Sequence, residues 1–260
     1  MKATLITGAS SGIGEAFARR LAADGHDLFL VARSEEKLCD LCTELSEKHG
    51  ITAKYLSADL GKDGADDRVF QETKKLGIEI DWLINNAGFG SMGDFAKLDH
   101  DRELEMIRLN ISALVGLTHK YLDGMRKRKR GTIINVSSAA GFQPVPYMAT
   151  YAATKSFVTA FSEAIAEENH SYGIQVLALC PGSTKTNFFE ASNIERAFAA
   201  KGQQTVDQVI DTAMSAVGTN RSKIVSGWTN WFVASATNFV PNSLITKVVG
   251  KGLRKKYQSE

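Results

Sequence analysis

The sequence lacks the features that mark secreted, membrane-spanning and low-complexity proteins. It has only three cysteines in 260 residues, too few for a disulfide scaffold in a chain of this length. No stretch approaches the roughly 20 consecutive apolar residues of a membrane-spanning helix, and no secretion signal is recognisable. Internal repeats and linkers rich in proline, glycine or serine are also missing. We therefore expect a single cytoplasmic domain covering residues 1–260.

An excess of charge of one sign is missing too. Lys and Arg number 31 and Asp and Glu 29, which gives a formal net charge of +2 and no general reason to expect a nucleic-acid partner. The basic run at 126–130 closes a helical pattern just before a glycine, where cations stabilise a helix C-terminus. The C-x-x-C pair Cys39 and Cys42 lies in a helical pattern without a second pair of metal ligands. We expect neither a bound metal ion nor bound nucleic acid.

What the sequence does contain is an alternation of short apolar runs with longer amphipathic stretches. Seven runs rich in β-branched residues predict strands at 4–6, 28–32, 53–57, 82–85, 132–136, 174–179 and 223–226. Helical patterns are found at 12–24, 35–48, 64–76, 101–128, 150–171 and 205–217. The run Leu28–Ala32 is uniformly apolar, as a sheet covered on both faces requires. The pattern predicts an α/β fold of Rossmann type, with a doubly wound, seven-stranded parallel sheet and helices on both faces.

A glycine-rich turn lies between the first predicted strand and the first predicted helix. Residues 7–14 read T-G-A-S-S-G-I-G. Gly8 permits the tight turn, Gly12 lets the backbone approach a pyrophosphate, and Gly14 allows close packing of the helix. The N-terminus of the following helix supplies free amides and a positive dipole end. At a strand-to-helix junction this motif predicts a dinucleotide site rather than a purely structural turn.

The end of the second predicted strand indicates which nicotinamide dinucleotide binds. The strand ends in Ala32-Arg33-Ser34, with no acidic residue to accept hydrogen bonds from a ribose 2′-hydroxyl. A guanidinium at Arg33 suits the 2′-phosphate of NADP instead. The alternative is a solvent-exposed arginine at the start of a helix, but the missing acid favours NADP(H) over NAD(H).

Two polar residues on one predicted helix are candidates for catalysis. Tyr151 and Lys155 are four positions apart, so both side chains project from one helix face and can act on one ligand. A tyrosine hydroxyl has an ordinary pKa of about 10, and a nearby ammonium together with an oxidised nicotinamide ring is expected to lower it. Ser138 follows the fifth predicted strand, where its hydroxyl can bind a substrate oxygen. Strand alternation turns the neighbouring Ser137 to the opposite face.

Four motifs in this order resemble the short-chain dehydrogenase/reductase family. They are T-G-x-x-x-G-x-G at 7–14, A-D-L at 58–60, N-N-A-G at 85–88, and Tyr151-x-x-x-Lys155 with a serine thirteen positions upstream of the tyrosine. The match extends to about residue 227 and is similar to the bacterial branch related to ketoacyl reductases and hydroxysteroid dehydrogenases. The resemblance implies an NADPH-dependent oxidoreductase that reduces a carbonyl, or oxidises the matching alcohol, on a hydrophobic small molecule such as a 3-ketoacyl or steroid-like substrate.

The resemblance also implies a set of site residues. Ser138, Tyr151, Lys155 and Asn110 form the catalytic group: the tyrosine donates the proton and the serine polarises the carbonyl. The lysine binds the nicotinamide ribose and lowers the pKa of the tyrosine, while the asparagine holds a water that links the lysine to solvent. The expected cofactor residues, with Asp59 at the adenine and Thr186 at the nicotinamide carboxamide, are Gly8, Ser10, Ser11, Gly12, Ile13, Gly14, Arg33, Asp59, Leu60, Asn86, Ala87, Gly88, Tyr151, Lys155, Pro181, Gly182, Thr184 and Thr186.

Two segments depart from the alternation of strands and helices. Residues 183–204 are poor in helical pattern and are expected to contact substrate, and residues 228–260 form a tail of apolar and basic residues. The tail is compatible with an interfacial membrane helix. Polar residues such as Asn230 and Ser235 interrupt its apolar surface, which favours a cap over the substrate cleft or contact with a partner subunit. The family resemblance implies a homodimer or homotetramer through the helices at 101–128 and 150–171.

Three functions could explain this set of motifs. An epimerase or dehydratase of the related extended type is disfavoured by the glycine spacing and the chain length. A non-catalytic NADP-binding regulatory or sensing protein would not need the intact group of Ser138, Tyr151, Lys155 and Asn110. A reductase acting on a hydrophobic carbonyl is the leading hypothesis, because apolar residues flank the predicted catalytic positions. These are Phe142, Pro144, Pro146, Tyr147, Met148, Phe188, Phe189 and Phe198.

Overall fold

A seven-stranded parallel sheet forms the centre of the molecule. The computed structural model describes residues 1–186, Phe188, Ser192, 203–237 and 239–257, apart from the side chains at 255 and 256. Within these residues the strand order is β3-β2-β1-β4-β5-β6-β7, and every neighbouring pair is parallel. The predicted Rossmann-type sheet is therefore confirmed. Its strands are β1 Lys2–Thr7, β2 Leu28–Ala32, β3 Ala53–Ser57, β4 Glu79–Asn85, β5 Gly131–Val136, β6 Ile174–Cys180 and β7 Lys223–Val225.

Helices connect the strands and continue after the last one. The connecting helices are α1 Gly12–Ala23, α2 Glu35–His49, α3 Ala65–Lys75, α4 His100–Ile107, α5 Leu114–Arg128, α6 Ala149–His170 and α7 Val206–Ala216. Two further helices follow β7: α8 Trp228–Thr237 and α9 Asn242–Tyr257. Short 3-10 turns lie at Phe95–Lys97 and Ala139–Phe142. None of the helices in the described part of the chain is both long and apolar enough to cross a lipid bilayer.

The helix predicted over 101–128 is present, but it is not α-helical throughout. A π-helical turn, Arg108–Ala113, separates α4 from α5. Such a turn adds one residue to the helix, and it is frequent at functional sites. Asn110 in this turn is buried, and its Nδ2 donates hydrogen bonds to the Phe89 carbonyl at 3.0 Å and to Thr154 Oγ1 at 3.1 Å. Apolar periodicity continues on both sides of the insertion, so the pattern alone does not reveal it.

Both faces of the sheet are covered, and β2 shows how. Leu28 and Leu30 pack into a cluster with residues of α1, α2 and α7, whereas Phe29 and Val31 pack into a second cluster with residues of α3, α5 and α6. All four side chains are fully buried. Alternate residues of a strand point to opposite faces, so the uniformly apolar run in the sequence reflects burial on both sides.

The order of the strands places a crevice at one edge of the sheet. β1 lies between β2 and β4, because the chain returns to the centre after β3 and continues outward in the other direction. The segments that follow β1 and β4 therefore lead to helices on opposite faces of the sheet. A crevice opens between them beyond the carboxyl ends of the strands, where open α/β sheets bind ligands. Gly8 and Asn86 follow these two strands and meet there: Asn86 Nδ2 donates hydrogen bonds to the carbonyls of Thr7 and Gly8, at 2.9 and 3.3 Å.

Burial in the two apolar layers is expected to dominate the stability of the fold. Leu30 is fully buried in β2, whereas Leu76, which follows α3, is 37% exposed. We predict that Leu30→Ala lowers the free energy of unfolding by about 2–5 kcal/mol and that Leu76→Ala changes it by less than about 1 kcal/mol. Urea unfolding of the three proteins measures both values. Equal losses in the two variants would contradict the core assignment.

Candidate active site

A cleft of about 650 Å³ follows the carboxyl edge of the sheet, a size typical of small-molecule and cofactor sites. Its walls come from the segments after β1 to β6 and from α4, α6, α8 and α9. Of the residues expected from the sequence, Gly14 and Asn110 do not line the cleft. The others do: Gly8, Ser10, Ser11, Gly12, Ile13, Arg33, Asp59, Leu60, Asn86, Ala87, Gly88, Ser138, Tyr151, Lys155, Pro181, Gly182, Thr184 and Thr186.

The glycine-rich turn forms one end of the cleft. Gly8 has a φ of +66°, in the left-handed region that favours glycine. A Cβ on Gly14 would overlap the Gly8 carbonyl oxygen and lie 2.5 Å from Asn86 Nδ2, so only glycine lets α1 begin this close to β1. Ser11 precedes α1 in an extended conformation and makes no side-chain cap. The first-turn amides of α1 are therefore available to an anionic group such as a pyrophosphate.

The segment after β4 braces this turn. Thr7 Oγ1 accepts hydrogen bonds from the backbone amides of Asn86 and Ala87, at 2.9 and 3.0 Å. The same hydroxyl donates to the Ile84 carbonyl at 3.3 Å. Together with the two bonds from Asn86 Nδ2, these contacts fix the distance between the ends of β1 and β4. The motif N-N-A-G thus has a structural role as well as a place in the cleft wall.

Arg33 and Asp59 lie in the same part of the cleft, beyond β2 and β3. Arg33 is exposed and lines the cleft. Among the residues that the structure describes, no carboxylate forms a salt bridge with it, so its guanidinium can receive an anion. Asp59 Oδ1 accepts a hydrogen bond from the Gly61 amide at 3.0 Å, which fixes the carboxyl group at the cleft wall. Glu105 of α4 lines the same region.

Lys155 is buried beneath the cleft and held by the sheet. Its Nζ donates a hydrogen bond to the Val136 carbonyl, the last of β5, at 2.9 Å. Ser137 Oγ donates to the Lys155 carbonyl at 2.7 Å, so the lysine is anchored to the end of β5 at both its side chain and its backbone. Burial lowers the pKa of Lys155 to about 8, because a buried ammonium loses its hydration.

The side chains of Tyr151 and Ser138 meet at the cleft. Tyr151 is buried, and burial raises the pKa of its phenol to about 12, while a hydrogen bond with the Ser138 side chain acts in the opposite direction. Lys155 Nζ lies 5.8 Å from the centroid of the Tyr151 ring. The lowering of the Tyr151 pKa by Lys155 together with an oxidised nicotinamide ring stays a prediction.

The orientation of the two neighbouring serines agrees with the sequence prediction. Ser138 Oγ accepts a hydrogen bond from the Ala140 amide at 3.1 Å and lines the cleft. Ser137 is almost fully buried, and its Oγ is within 2.7 Å of both the Lys155 carbonyl and Thr159 Oγ1. Of the two serines, Ser138 is therefore the one whose hydroxyl can turn to a substrate, because the Ser137 hydroxyl is held by α6.

Asn110 lies behind the cleft wall. In addition to the two bonds donated by its Nδ2, its Oδ1 accepts a hydrogen bond from the Phe89 amide at 3.2 Å. Its side chain thus holds the segment after β4 against α6. The role of Asn110 in holding a water for Lys155 stays a prediction.

Comparison with known proteins identifies the family. A family model described as short chain dehydrogenase matches residues 2–197, which is most of the chain. The chain belongs to the short-chain dehydrogenase family. It is therefore an oxidoreductase of the class that interconverts alcohols and carbonyls.

A curated relative and two solved structures extend the comparison. This short-chain dehydrogenase is 36% identical over 194 residues to very-long-chain 3-oxoacyl-CoA reductase of Anas platyrhynchos, a match covering 72% of the chain but only 61% of that protein. A short-chain dehydrogenase from Sphingobium yanoikuyae in complex with NADPH has a TM-score of 0.81 and 31% identity, covering 92% of this chain and 94% of that one. A second structure, which addresses the stereoselectivity of 7β-hydroxysteroid dehydrogenase, has a TM-score of 0.86 and 26% identity, covering 96% of each chain.

The other end of the cleft of this short-chain dehydrogenase is apolar. Of the apolar residues singled out in the sequence, Met148 and Phe188 line it, whereas Phe142 packs under Lys223. Phe189 and Phe198 lie outside the described residues, as does most of the predicted substrate segment 183–204. Ser183, Asn230 and Leu253 also line the cleft, and they belong to the two segments expected to contact substrate or cap the cleft. Lining residues that the sequence did not point to include Phe89, Met92, Arg102, Glu105 and Leu109.

Asn230 is the polar residue that sequence reasoning missed most clearly. It projects from α8, and its Nδ2 donates a hydrogen bond to the Ser226 carbonyl at 2.7 Å. A Cβ on Gly182 would overlap the Asn230 side chain, so the two residues fit together at the cleft wall. In the sequence Asn230 was visible only as a polar interruption of an apolar tail. No local pattern connects it with a segment almost 50 residues earlier.

The clash at Gly14 generates a test of the glycine turn. We predict that Gly14→Ala weakens nicotinamide dinucleotide binding by about tenfold or more, because the methyl group forces α1 away from β1. Gly252→Ala is the matched control, since a Cβ at Gly252 meets no atom within 4 Å. Isothermal titration calorimetry measures both affinities, with circular dichroism to check folding. Wild-type affinity in a folded Gly14→Ala variant would contradict this account of the turn.

Proposed function

We propose that this short-chain dehydrogenase uses NADPH to reduce the keto group of a hydrophobic substrate, with a 3-oxoacyl thioester as the leading class. The observation that carries the proposal is the convergence of Tyr151, Ser138 and Lys155 on a cleft whose other end is formed by the glycine turn. The cytoplasmic location and the homo-oligomeric state expected from the sequence remain part of the proposal.

The cleft fits a phosphorylated dinucleotide. The first turn of α1 has no side-chain cap, so its backbone amides suit the pyrophosphate. Arg33 offers an unpaired guanidinium, among the described residues, at the end of β2, which suits a 2′-phosphate. When bound, NADPH supplies the hydride that the carbonyl carbon accepts.

Ser138 and Tyr151 would act on the substrate oxygen. Ser138 Oγ accepts a hydrogen bond from the Ala140 amide, and its hydroxyl hydrogen, which bonds the Tyr151 side chain in the protein alone, would turn to the substrate oxygen as negative charge develops on it. Tyr151 keeps its proton at neutral pH because burial raises its pKa to about 12. The phenol can therefore give that proton to the oxygen once the carbon has received hydride, and the product is an alcohol.

Lys155 would restore the proton that Tyr151 loses. A pKa of about 8 means that Lys155 gains and releases protons near physiological pH. Its bond to the Val136 carbonyl holds the ammonium at a fixed place one helical turn from Tyr151. Its positive charge favours the phenolate formed after proton transfer, so it stabilises the state in which the tyrosine has reacted.

The apolar end of the cleft supports a hydrophobic substrate. Phe89, Met92, Leu109, Met148 and Leu253 line it, and apolar side chains recognise acyl chains and rings through burial of their surface. The similarity to a protein named very-long-chain 3-oxoacyl-CoA reductase favours a 3-oxoacyl thioester, and the structural similarity to a 7β-hydroxysteroid dehydrogenase makes a steroid ketone the second class to test.

The first test removes the proton donor. We predict that Tyr151→Phe lowers turnover of a 3-oxoacyl thioester or bulky ketone by about a hundredfold or more, because the Ser138 hydroxyl that remains at the substrate oxygen is a much weaker acid than a phenol. Dinucleotide affinity should change little. NADPH consumption measures turnover, and Tyr172→Phe serves as the control because Tyr172 is exposed and outside the cleft. Undiminished turnover by Tyr151→Phe would contradict the assignment.

The second test concerns the cofactor. Arg33→Ala is expected to weaken NADPH binding by about tenfold or more while leaving NADH binding nearly unchanged, because only NADPH carries the phosphate that the guanidinium would bind. Arg221→Ala, at another exposed arginine, controls for the loss of a positive charge. The affinities of the wild-type protein and the two variants for NADPH and NADH test this expectation. An unchanged preference in Arg33→Ala would remove the basis for NADPH.

A further inference from the structure

The helices after β7 expose an apolar surface, which we call the outer face. In the described part of the chain, fifteen large hydrophobic side chains are exposed, and eight of them lie in the 21 residues from Trp228 to Val248. Trp228 is 82% and Phe239 is 88% exposed, and an exposed cluster of this kind marks an interaction site. The outer face consists of Trp228, Trp231, Phe232, Val233, Phe239, Val240, Leu244 and Val248.

The opposite side of α9 borders the cleft. Leu253 lines the cleft, and the Tyr257 ring stacks on Tyr147 with ring centroids 4.9 Å apart. A Cβ on Gly250 would be in ordinary contact with Pro146, at 3.6 Å. The cap over the cleft expected from the sequence stays a prediction, and this is the side of α9 that would form it. Leu244 and Val248, on the other side of the helix, are exposed.

The segment from 228 to 257 carries positive charge only. Between 228 and 257 there are five lysines and arginines and no aspartate or glutamate. The remainder of the chain has 26 of the 31 basic residues and all 29 acidic ones, so its net charge is −3. Lys247 and Lys251 are exposed on α9 beside Val248. Aromatic and aliphatic side chains next to basic ones, on helices without acidic residues, fit the interface of an anionic bilayer.

A second copy of the chain fits this surface less well. In a symmetric dimer the same patch meets itself, so Lys247, Lys251 and Arg254 of one copy would approach the same residues of the other. With no carboxylate in the segment, these charges would have no opposite charge within the patch to pair with. An anionic lipid surface instead supplies negative charge around the rim and apolar chains beneath it.

We propose that the outer face docks this enzyme on the surface of an anionic membrane, with the aromatic side chains of α8 and Phe239 in the lipid interface. Because Leu253 of α9 lines the cleft, docking places the cleft close to the lipid. The docking does not depend on the proposed reaction, and it can be tested with a protein that carries no substrate or cofactor.

Vesicle binding tests the proposal directly. The full chain is mixed with vesicles of phosphatidylcholine, with or without phosphatidylglycerol, and bound protein is measured by flotation. Tryptophan emission gives a second readout, because two of the three tryptophans lie on the outer face and Trp82 packs edge-on against His26. We expect binding to the anionic vesicles that weakens with salt, with a blue shift of the emission and quenching by brominated lipid.

Paired variants separate the apolar from the electrostatic contribution. Trp228→Ser combined with Trp231→Ser, and separately Lys247→Glu combined with Lys251→Glu, should each lower binding to anionic vesicles by about tenfold or more. Phe95→Ser is the control, since Phe95 is 65% exposed but lies elsewhere on the chain. Turnover of a water-soluble ketone should be unchanged in all three variants.

Three outcomes would overturn the proposal. The first is no binding of the wild-type protein to anionic vesicles. The second is equal binding by the tryptophan variant. The third is a dimer, detected by light scattering, that the tryptophan substitutions dissociate, because a second copy would then cover the outer face. Since none of these measurements depends on catalysis, a failure here leaves the proposed reaction to be judged by its own tests.

Discussion

The active site depends on the close packing of α6 against the end of β5. Lys155 Nζ bonds to the last carbonyl of that strand, and Ser137 Oγ bonds to the Lys155 backbone. Gly141 completes this contact, because a Cβ there would lie 2.7 Å from the Lys155 carbonyl carbon. The helix and the segment after β5 are thus held at one separation. That separation brings Tyr151 of the helix and Ser138 of the segment to the same cleft.

Burial in this contact also determines the chemistry of the residues. It lowers the pKa of Lys155 from 10.5 to about 8 and raises that of Tyr151 from 10.0 to about 12, so two values that are ordinarily close together move apart. A phenol that stays protonated and an ammonium that exchanges its proton near neutrality make a suitable pair for delivering and replacing one proton. The same packing that stabilises the fold therefore prepares the site.

Much of this arrangement could be predicted from the sequence because it follows from local pattern and order. The strand from Leu28 to Ala32 is uniformly apolar and fully packed on both sides. The four-residue spacing of Tyr151 and Lys155 places them on one side of α6, and the glycine spacing indicates how closely α1 approaches β1. Each of these signals lies within a few neighbouring residues, where geometry is nearly fixed.

The remainder depends on contacts between distant segments. The π turn at Asn110 is favoured by hydrogen bonds to Phe89 and Thr154, which lie 21 and 44 positions away. Asn230 and Leu253 reach the cleft only because α8 and α9 return to it. The rise in the Tyr151 pKa reflects burial, which spacing does not report. The two sides of α9, one on the cleft and one in solvent, likewise appear only in three dimensions.

The most direct test of the account is the titration of Lys155 itself. Lysine labelled with ¹³C at Cε allows its protonation to be followed by NMR, and the signal is assigned by its absence from Lys155→Met. The account predicts a pKa of about 8, because the ammonium is held against β5 and away from water. A pKa at the ordinary value of 10.5 would mean that Lys155 is hydrated, and it would contradict the packing on which the site depends.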